Sequence, residues 1–214
     1  MVLKLYGATM STKTRSVAQI CKEKKIPYEL ITVNLPAGEH KSPAHLAIQP
    51  FGQVPVIDDD GFILYESRAI ARYLAAKYPD QGTPNLIPTN PKELALFNQA
   101  ASIELSHFDP HAFGVIFEKV IKGRKGLPPD ESAVTKHLAA LNDKLDVYEV
   151  ILAKQKYLAG DYVTLADLFH LPFGTMLEGP GLEYDIFKKR PNVSRWWNDI
   201  SKRASWLAVK NGVV

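Results

Sequence analysis

The chain carries a single cysteine, Cys21, among its 214 residues. That excludes an internal disulfide framework and any zinc cluster built on cysteine. No apolar run approaches the ~18 residues a membrane span needs. The opening MVLKLYGATM lacks the charged start and apolar stretch of a secretory signal. These absences set a reduced cytoplasmic compartment as the expectation, with no membrane partner. An excess of one charge is missing too. The 26 Lys and Arg face 23 Asp and Glu, a net charge of +3. Residues 1–80 and 81–214 are each near neutral, so nothing marks a nucleic-acid partner. A glycine-rich phosphate loop and a Gly-x-Ser-x-Gly motif are also absent.

What is present is ordinary globular material, 46% hydrophobic and 23% charged. Residues 1–80 alternate short strand-like runs with helical ones. Val2–Tyr6 predicts a strand, and 12–25 a helix with Val17, Ile20 and Cys21 on one face. Tyr28–Leu35 predicts a second strand, and Pro43–Ile48 a short helix. Val54–Asp58 and Phe62–Tyr65 flank Asp59-Asp60-Gly61, a hairpin signal. Ser67 opens a helix through Tyr78. The order is βαβ, a short helix, then ββα, which makes a mixed sheet covered by helices: an α/β, thioredoxin-like domain.

Residues 81–91 lie in a stretch rich in proline (79–91, PDQGTPNLIPTNP) and read as a linker. From 92 to 214 the pattern is all-helical. Leu94, Phe97, Ala101, Leu105 and Phe108 share one stripe; Leu138, Leu141, Leu145, Tyr148 and Leu152 share another. Thr164–Leu177 is apolar nearly all round and predicts a buried central helix. Pro191–Ser201 predicts one more. The basic run Lys122-Gly123-Arg124-Lys125 reads as a solvated loop.

Several positions carry possible chemistry, each with a plainer structural reading beside it. Ser11 stands between a strand and a helix, where it reads first as an N-cap. The second reading is a hydroxyl that donates to a ligand thiolate at the positive end of the helix dipole, lowering the thiol pKa. Val54-Pro55 opens a strand; with a cis bond, the Val54 backbone would pair with an extended peptide ligand. Ser67 reads as an N-cap, and with Glu66 as the receptor of one amino-acid head group: Ser67 and the helix N-terminus for its carboxylate, Glu66 for its ammonium. Lys41 reads as a surface charge or as a point charge for a second carboxylate. Thr164 to Asp167 has capping-box spacing and a structural role. Cys21 reads as an inert core thiol. His107 and His111 stand four apart with no third ligand evident, so no metal is expected.

The order of these signals resembles the glutathione transferases, and specifically their phi class of plants and some fungi. The stretch GEHKSPAHLAIQPFGQVPVIDDDGFILYESRAIARYLA carries the resemblance most specifically, through the GEHK loop, the QPFGQVP block and the ESRAI helix start. MSTKTRSV, FDP at 108–110, LDVYE at 145–149 and YLAGDYVTLADL at 157–168 extend it over most of the chain. The resemblance implies a homodimer that binds glutathione as co-substrate and needs no metal. Ser11 becomes the hydroxyl that stabilises the thiolate. His40 and Lys41 meet the glycyl carboxylate, Val54 before a cis Pro55 pairs with the cysteinyl backbone beside Gln53, and Glu66 and Ser67 hold the γ-glutamyl end. The acceptor pocket is expected between the domains, walled by Met10, Leu35, Phe113, Phe117 and Met176.

The implied reaction joins the glutathione thiolate to hydrophobic electrophiles, with peroxidase activity on organic hydroperoxides as a second output. A non-catalytic carrier of flavonoid-like or other aromatic ligands is the alternative. Two positions depart from the family pattern: Thr12 offers a second hydroxyl beside Ser11, and Gln49 stands where many relatives have Asn. Tyr6, at the end of the first strand, is where tyrosine-type transferases place their phenol. The surrounding GATMSTKTRSV fits the serine type.

Overall fold

The computed structural model describes residues 2–214. They form two compact units: one runs as far as Ile87 and also takes Arg203–Val214, the other is Pro88–Lys202. The first unit opens with β1 (Leu3–Gly7), α1 (Thr12–Glu23) and β2 (Tyr28–Thr32). β1 and β2 are parallel, with Leu3 opposite Tyr28 and Gly7 opposite Thr32, as a helical crossover requires. β2 is shorter than the apolar run that predicts it, because its partner β1 ends at Gly7. A short α2 (Pro43–Leu46) precedes β3 (Val56–Asp59), β4 (Phe62–Tyr65) and α3 (Ser67–Lys77). β3 is antiparallel to both β1 and β4, so the sheet order is β2-β1-β3-β4.

The expected mixed-sheet, thioredoxin-like domain is the one the chain forms. Its hairpin closes on Asp60 and Gly61, at φ of 57° and 88°; two left-handed residues are what such a turn requires. α1 packs on α3. Val17, Ile20, Cys21, Ile70 and Leu74 form the core with Leu5, Val56 and Ile57 of the sheet.

The second unit is helical: α4 (Pro91–Ile103), α5 (Asp109–Ile116), α6 (Lys122–Arg124), α7 (Glu131–Leu152), α8 (Leu165–Leu168), α9 (Leu171–Glu178) and α10 (Pro191–Ser201). Between α4 and α5, and again between α5 and α6, the chain stays helical through the wider π-type turns Glu104–Phe108 and Phe117–Ile121. A π turn inserts a residue and rotates the face that follows. The expected stripe therefore slips: Leu105 is exposed and Glu104 is buried in its place. The basic run from Lys122 is a helix end rather than a loop, with Lys122 paired to Glu118 at 2.6 Å.

The expected single central helix is two pieces, α8 and α9. Pro172 has no N–H for the Leu168 carbonyl, and apolar periodicity does not register that loss. The Thr164–Asp167 capping box is formed. Asp167 accepts from the N–H groups of Leu158 (3.0 Å) and Thr164 (2.9 Å) and from Trp196 Nε1 (2.9 Å). Burial pushes its carboxyl above the usual range despite these donors.

Residues 203–214, placed by the sequence pattern with the helices, pack on the sheet unit instead. α11 (Ala204–Leu207) lies on α1. The guanidinium of Arg203 forks onto the Glu23 carboxylate at 2.6 and 2.8 Å. Among the described residues no helix is long and apolar enough to cross a membrane.

Candidate functional site

The loop from Gly7 to Ser11 links β1 to α1, so the sheet and the helix together fix where Ser11 stands. Ser11 takes extended backbone angles, and its Oγ accepts from the Thr14 N–H at 3.3 Å. It is the N-cap that the plainer reading foresees. That role uses an oxygen lone pair and leaves the hydroxyl proton for another acceptor. The structural and functional readings of Ser11 are therefore compatible. Thr12 is the first helical residue and, like Ser11, half-buried. At this helix end the first N–H groups have no intrahelical carbonyl and carry the positive end of the dipole.

A second group of residues gathers after α2. The Val54-Pro55 bond is cis. Among the described residues no hydrogen bond uses the Val54 N–H or C=O. The peptide before it is held from both sides: His45 Nε2 lies 2.8 Å from Gln53 O, and Gln49 Oε1 accepts from Gln53 N–H at 3.3 Å. His45 and Gln49 are both buried. His40 and Lys41 form a turn beside this segment, where Lys41 Nζ donates to Phe51 O at 2.9 Å. His40 Nδ1 is buried without a hydrogen-bond partner.

Glu66 precedes α3 with a φ of 71°, a left-handed conformation costly for a residue with a side chain. The N-cap position is Glu66 and not Ser67; Ser67 is the first helical residue and is buried. Gln53, Val54, Pro55, Glu66 and Ser67 line a cavity of about 110 Å³ together with Lys13, Gln49 and Arg68. The space suits a head group rather than a whole drug-sized ligand, which needs ~300 Å³ or more. It offers cations from Lys13 and Arg68 and an anion from Glu66, the complement of a zwitterion. Lys13, two residues beyond Ser11, connects this cavity to the α1 terminus.

The description "Glutathione S-transferase, N-terminal domain" matches residues 1–76, and "Glutathione S-transferase, C-terminal domain" matches residues 106–204. Glutathione S-transferase PM239X14 of Arabidopsis thaliana is 47% identical over 199 residues, 92% of this chain and 90% of its own length. The chain belongs to the glutathione S-transferase family. Its class is phi: glutathione transferase F2 of Populus trichocarpa superposes with a TM-score of 0.92 at 40% identity, over 97% of this chain and 96% of its own. Glutathione S-transferase I from mais, solved in complex with an atrazine glutathione conjugate, gives a TM-score of 0.90 at 35% identity, over 98% of this chain and 97% of its own.

Within this transferase the apolar candidates fall into the two units. On the first, Met10 is 57% exposed and Leu35 is half-buried. On the second, Phe113 and Phe117 are exposed with ring centroids 6.0 Å apart, and Phe173 stands 5.9 Å from Phe113. Met176 is half-buried on α9. Phe108, by contrast, is core. Cys21 is fully buried, and burial pushes its thiol up to about 12, which removes it as a nucleophile. His111 stands against His137, Nδ1 to Nδ1 at 3.3 Å. Among the described residues no group of three or more His, Cys, Asp or Glu could hold a metal ion.

Sequence reasoning missed His45, Lys13 and Arg68. The last two sit at helix starts beside expected ligand residues, and that adjacency was the available signal. His45 gave none, because its role depends on a carbonyl eight residues later.

Proposed function

We propose that this phi-class transferase is of the serine type: the hydroxyl of Ser11 donates to the sulfur of bound glutathione and holds it as a thiolate. The observation that carries this reading is the Ser11 cap, whose oxygen accepts from Thr14 N–H and whose proton remains available. The helix N-terminus adds positive potential at the same place. The thiol proton leaves to solvent. The thiolate attacks an electrophilic carbon, the C–S bond forms, and the leaving group departs with its electron pair. Thr12, the next residue in the chain, offers a second hydroxyl that could substitute.

Glutathione itself is held by residues of the first unit. Glu66 takes the γ-glutamyl ammonium and Ser67 its carboxylate. Val54, fixed by Pro55 and flanked by Gln53, pairs with the cysteinyl backbone. His40 and Lys41 receive the glycyl carboxylate. The unpartnered Nδ1 of His40 supports that role, and the glutathione conjugate bound by the mais relative supports glutathione as the ligand. For the apolar acceptor, Met10, Leu35, Phe113, Phe117 and Met176 are the side chains we assign. The same thiolate reduces an organic hydroperoxide when two glutathiones yield one disulfide, an alcohol and water. Exposed Phe51, Phe62 and Ile63 supply apolar surface for a second copy of the chain, in a homodimer.

The deciding measurement is the ultraviolet absorbance of the thiolate of bound glutathione against pH, in wild type and Ser11→Ala. The wild type is expected to hold the thiol below its free value of about 8.5, and Ser11→Ala to return it toward that value. An equally depressed pKa in both proteins would remove Ser11 from the role and transfer it to Thr12 or Tyr6. Glutathione bound by the wild type without any thiolate would favour a carrier.

A further inference from the structure

The segment 203–214 belongs to the sheet unit, and its contacts there bracket Ser11. Two residues before Ser11, the Thr9 C=O accepts from the Val213 N–H at 3.1 Å. One turn after it, Arg15 Nη1 donates to the Lys210 C=O at 2.6 Å. Arg15 is itself tied to the site, since its N–H donates to the Ser11 C=O at 2.9 Å. Both flanks of the hydroxyl are thus fastened to the same few residues.

The fastening is firm. Val209 and Val213 are buried to 1% exposure, as is Trp206, whose ring lies 5.9 Å from the Arg15 guanidinium. Gly212 fits close against the loop: at a φ of +135° an added Cβ would stand 2.9 Å from Thr9 Cγ2 and 3.5 Å from Met10 Sδ. Among the described residues the only hydrogen bond to Ser11 Oγ is the 3.3 Å bond from the Thr14 N–H. Its direction toward a ligand therefore depends on where the backbone of residues 9–15 is held.

We propose that residues 210–213 are a positioning strap for Ser11. They touch no reacting atom; they set the loop and first helical turn so that the hydroxyl proton meets the thiolate. This rests on the serine-type reading above. A hydrogen bond to sulfur is sensitive to placement, and a site of this kind needs its donor within roughly 0.5 Å. Loops are the low-stability parts of a fold unless tied down. The Thr9 and Arg15 attachments tie this one at both ends.

The test compares Val213→Pro, which removes the N–H, with Val213→Ala, which keeps it and trims the buried side chain. The bound-glutathione thiolate is titrated in each, and kcat and the KM for glutathione are measured with an aryl chloride. Val213→Pro should raise the thiol pKa by about one unit, a tenfold loss of thiolate below the wild-type pKa, with about a tenfold lower kcat and a KM within about threefold. Val213→Ala should leave the pKa in place. If Val213→Pro fails to fold, Gly212→Ala, which pushes the loop rather than releasing it, is read by the same criterion. An unchanged pKa in the folded variant overturns the strap and leaves the serine-type reading intact. An equal rise in Val213→Ala also overturns it, because side-chain packing alone would then explain the effect. A wild type without a depressed pKa fails the serine-type reading itself, and the strap with it.

Discussion

Replacing Arg203 by methionine should cost the protein far more than a surface ion pair is worth. Glu23 keeps only 3% of its side chain exposed, and Arg203 keeps 23%. The carboxylate also accepts from Thr83 Oγ1 at 2.5 Å and from the Ser205 hydroxyl. Burial alone would raise its pKa; the hydrogen bonds from Arg203, Ser205 and Thr83 outweigh it and hold the group below its ordinary value. Removing one partner of a buried pair costs ~3–5 kcal/mol. The two remaining hydroxyl donors place Arg203→Met at the low end, about 3 kcal/mol. In a domain set of this size that lowers the melting midpoint by about 6–12 °C. Glu23→Gln removes the charge together with its desolvation and should cost less, and adding it to Arg203→Met should recover part of the loss.

The sign of the pH dependence follows from the direction of the shift. A carboxyl with a depressed folded pKa adds stability above its unfolded value and loses it as pH falls through the folded one. In Arg203→Met the stranded carboxylate is instead relieved by protonation. The gap between wild type and variant, followed by circular dichroism melts, should be widest near neutrality and narrow below about pH 4, where an unfolded Glu also protonates. A variant within a degree of wild type at neutral pH, or a gap constant down to acid, would refute the reasoning.

Two further outcomes follow from the buried groups. Asp167→Asn should lower stability by roughly 2 kcal/mol, because the amide N–H₂ faces donors where a carboxylate oxygen accepted from them; a melt matching wild type would show the network to be dispensable. The Cys21 thiol, pushed up to about 12 by burial, should resist alkylation in the native protein at mildly alkaline pH and react once the chain is unfolded. Rapid labelling of folded protein, followed by mass spectrometry, would contradict its burial.

How much of this was legible in the sequence depended on the range of the interaction. Asp60-Gly61 announced the hairpin because those residue types tolerate the left-handed angles the turn needs. Ser11 was legible as a cap from its place between strand and helix, and the structure forms that cap. Glu66 was legible as a charge but not as a left-handed residue, since glutamate does not favour that conformation. The π turns were invisible to a 3.6-residue period, so Leu105 was set in the core where Glu104 lies. Pro172 did signal the break between α8 and α9, but the apolar run around it masked the signal. The assignment of 203–214 to the sheet unit had no local signature at all, because its anchors lie in α1 and the loop before it.

That last arrangement bears on how the protein is made. Arg203 meets Glu23 across 180 residues of chain. Synthesis at ~5–20 residues per second separates the two by about 9–36 s. The sheet can pair early, yet the buried Glu23 carboxylate waits for its cation until residue 203 has left the ribosome. The Ser11 loop waits still longer for Val213. Nascent chains halted before Arg203 would carry a sheet unit in which neither the Glu23 carboxylate nor the Thr9 carbonyl has yet met its distant donor.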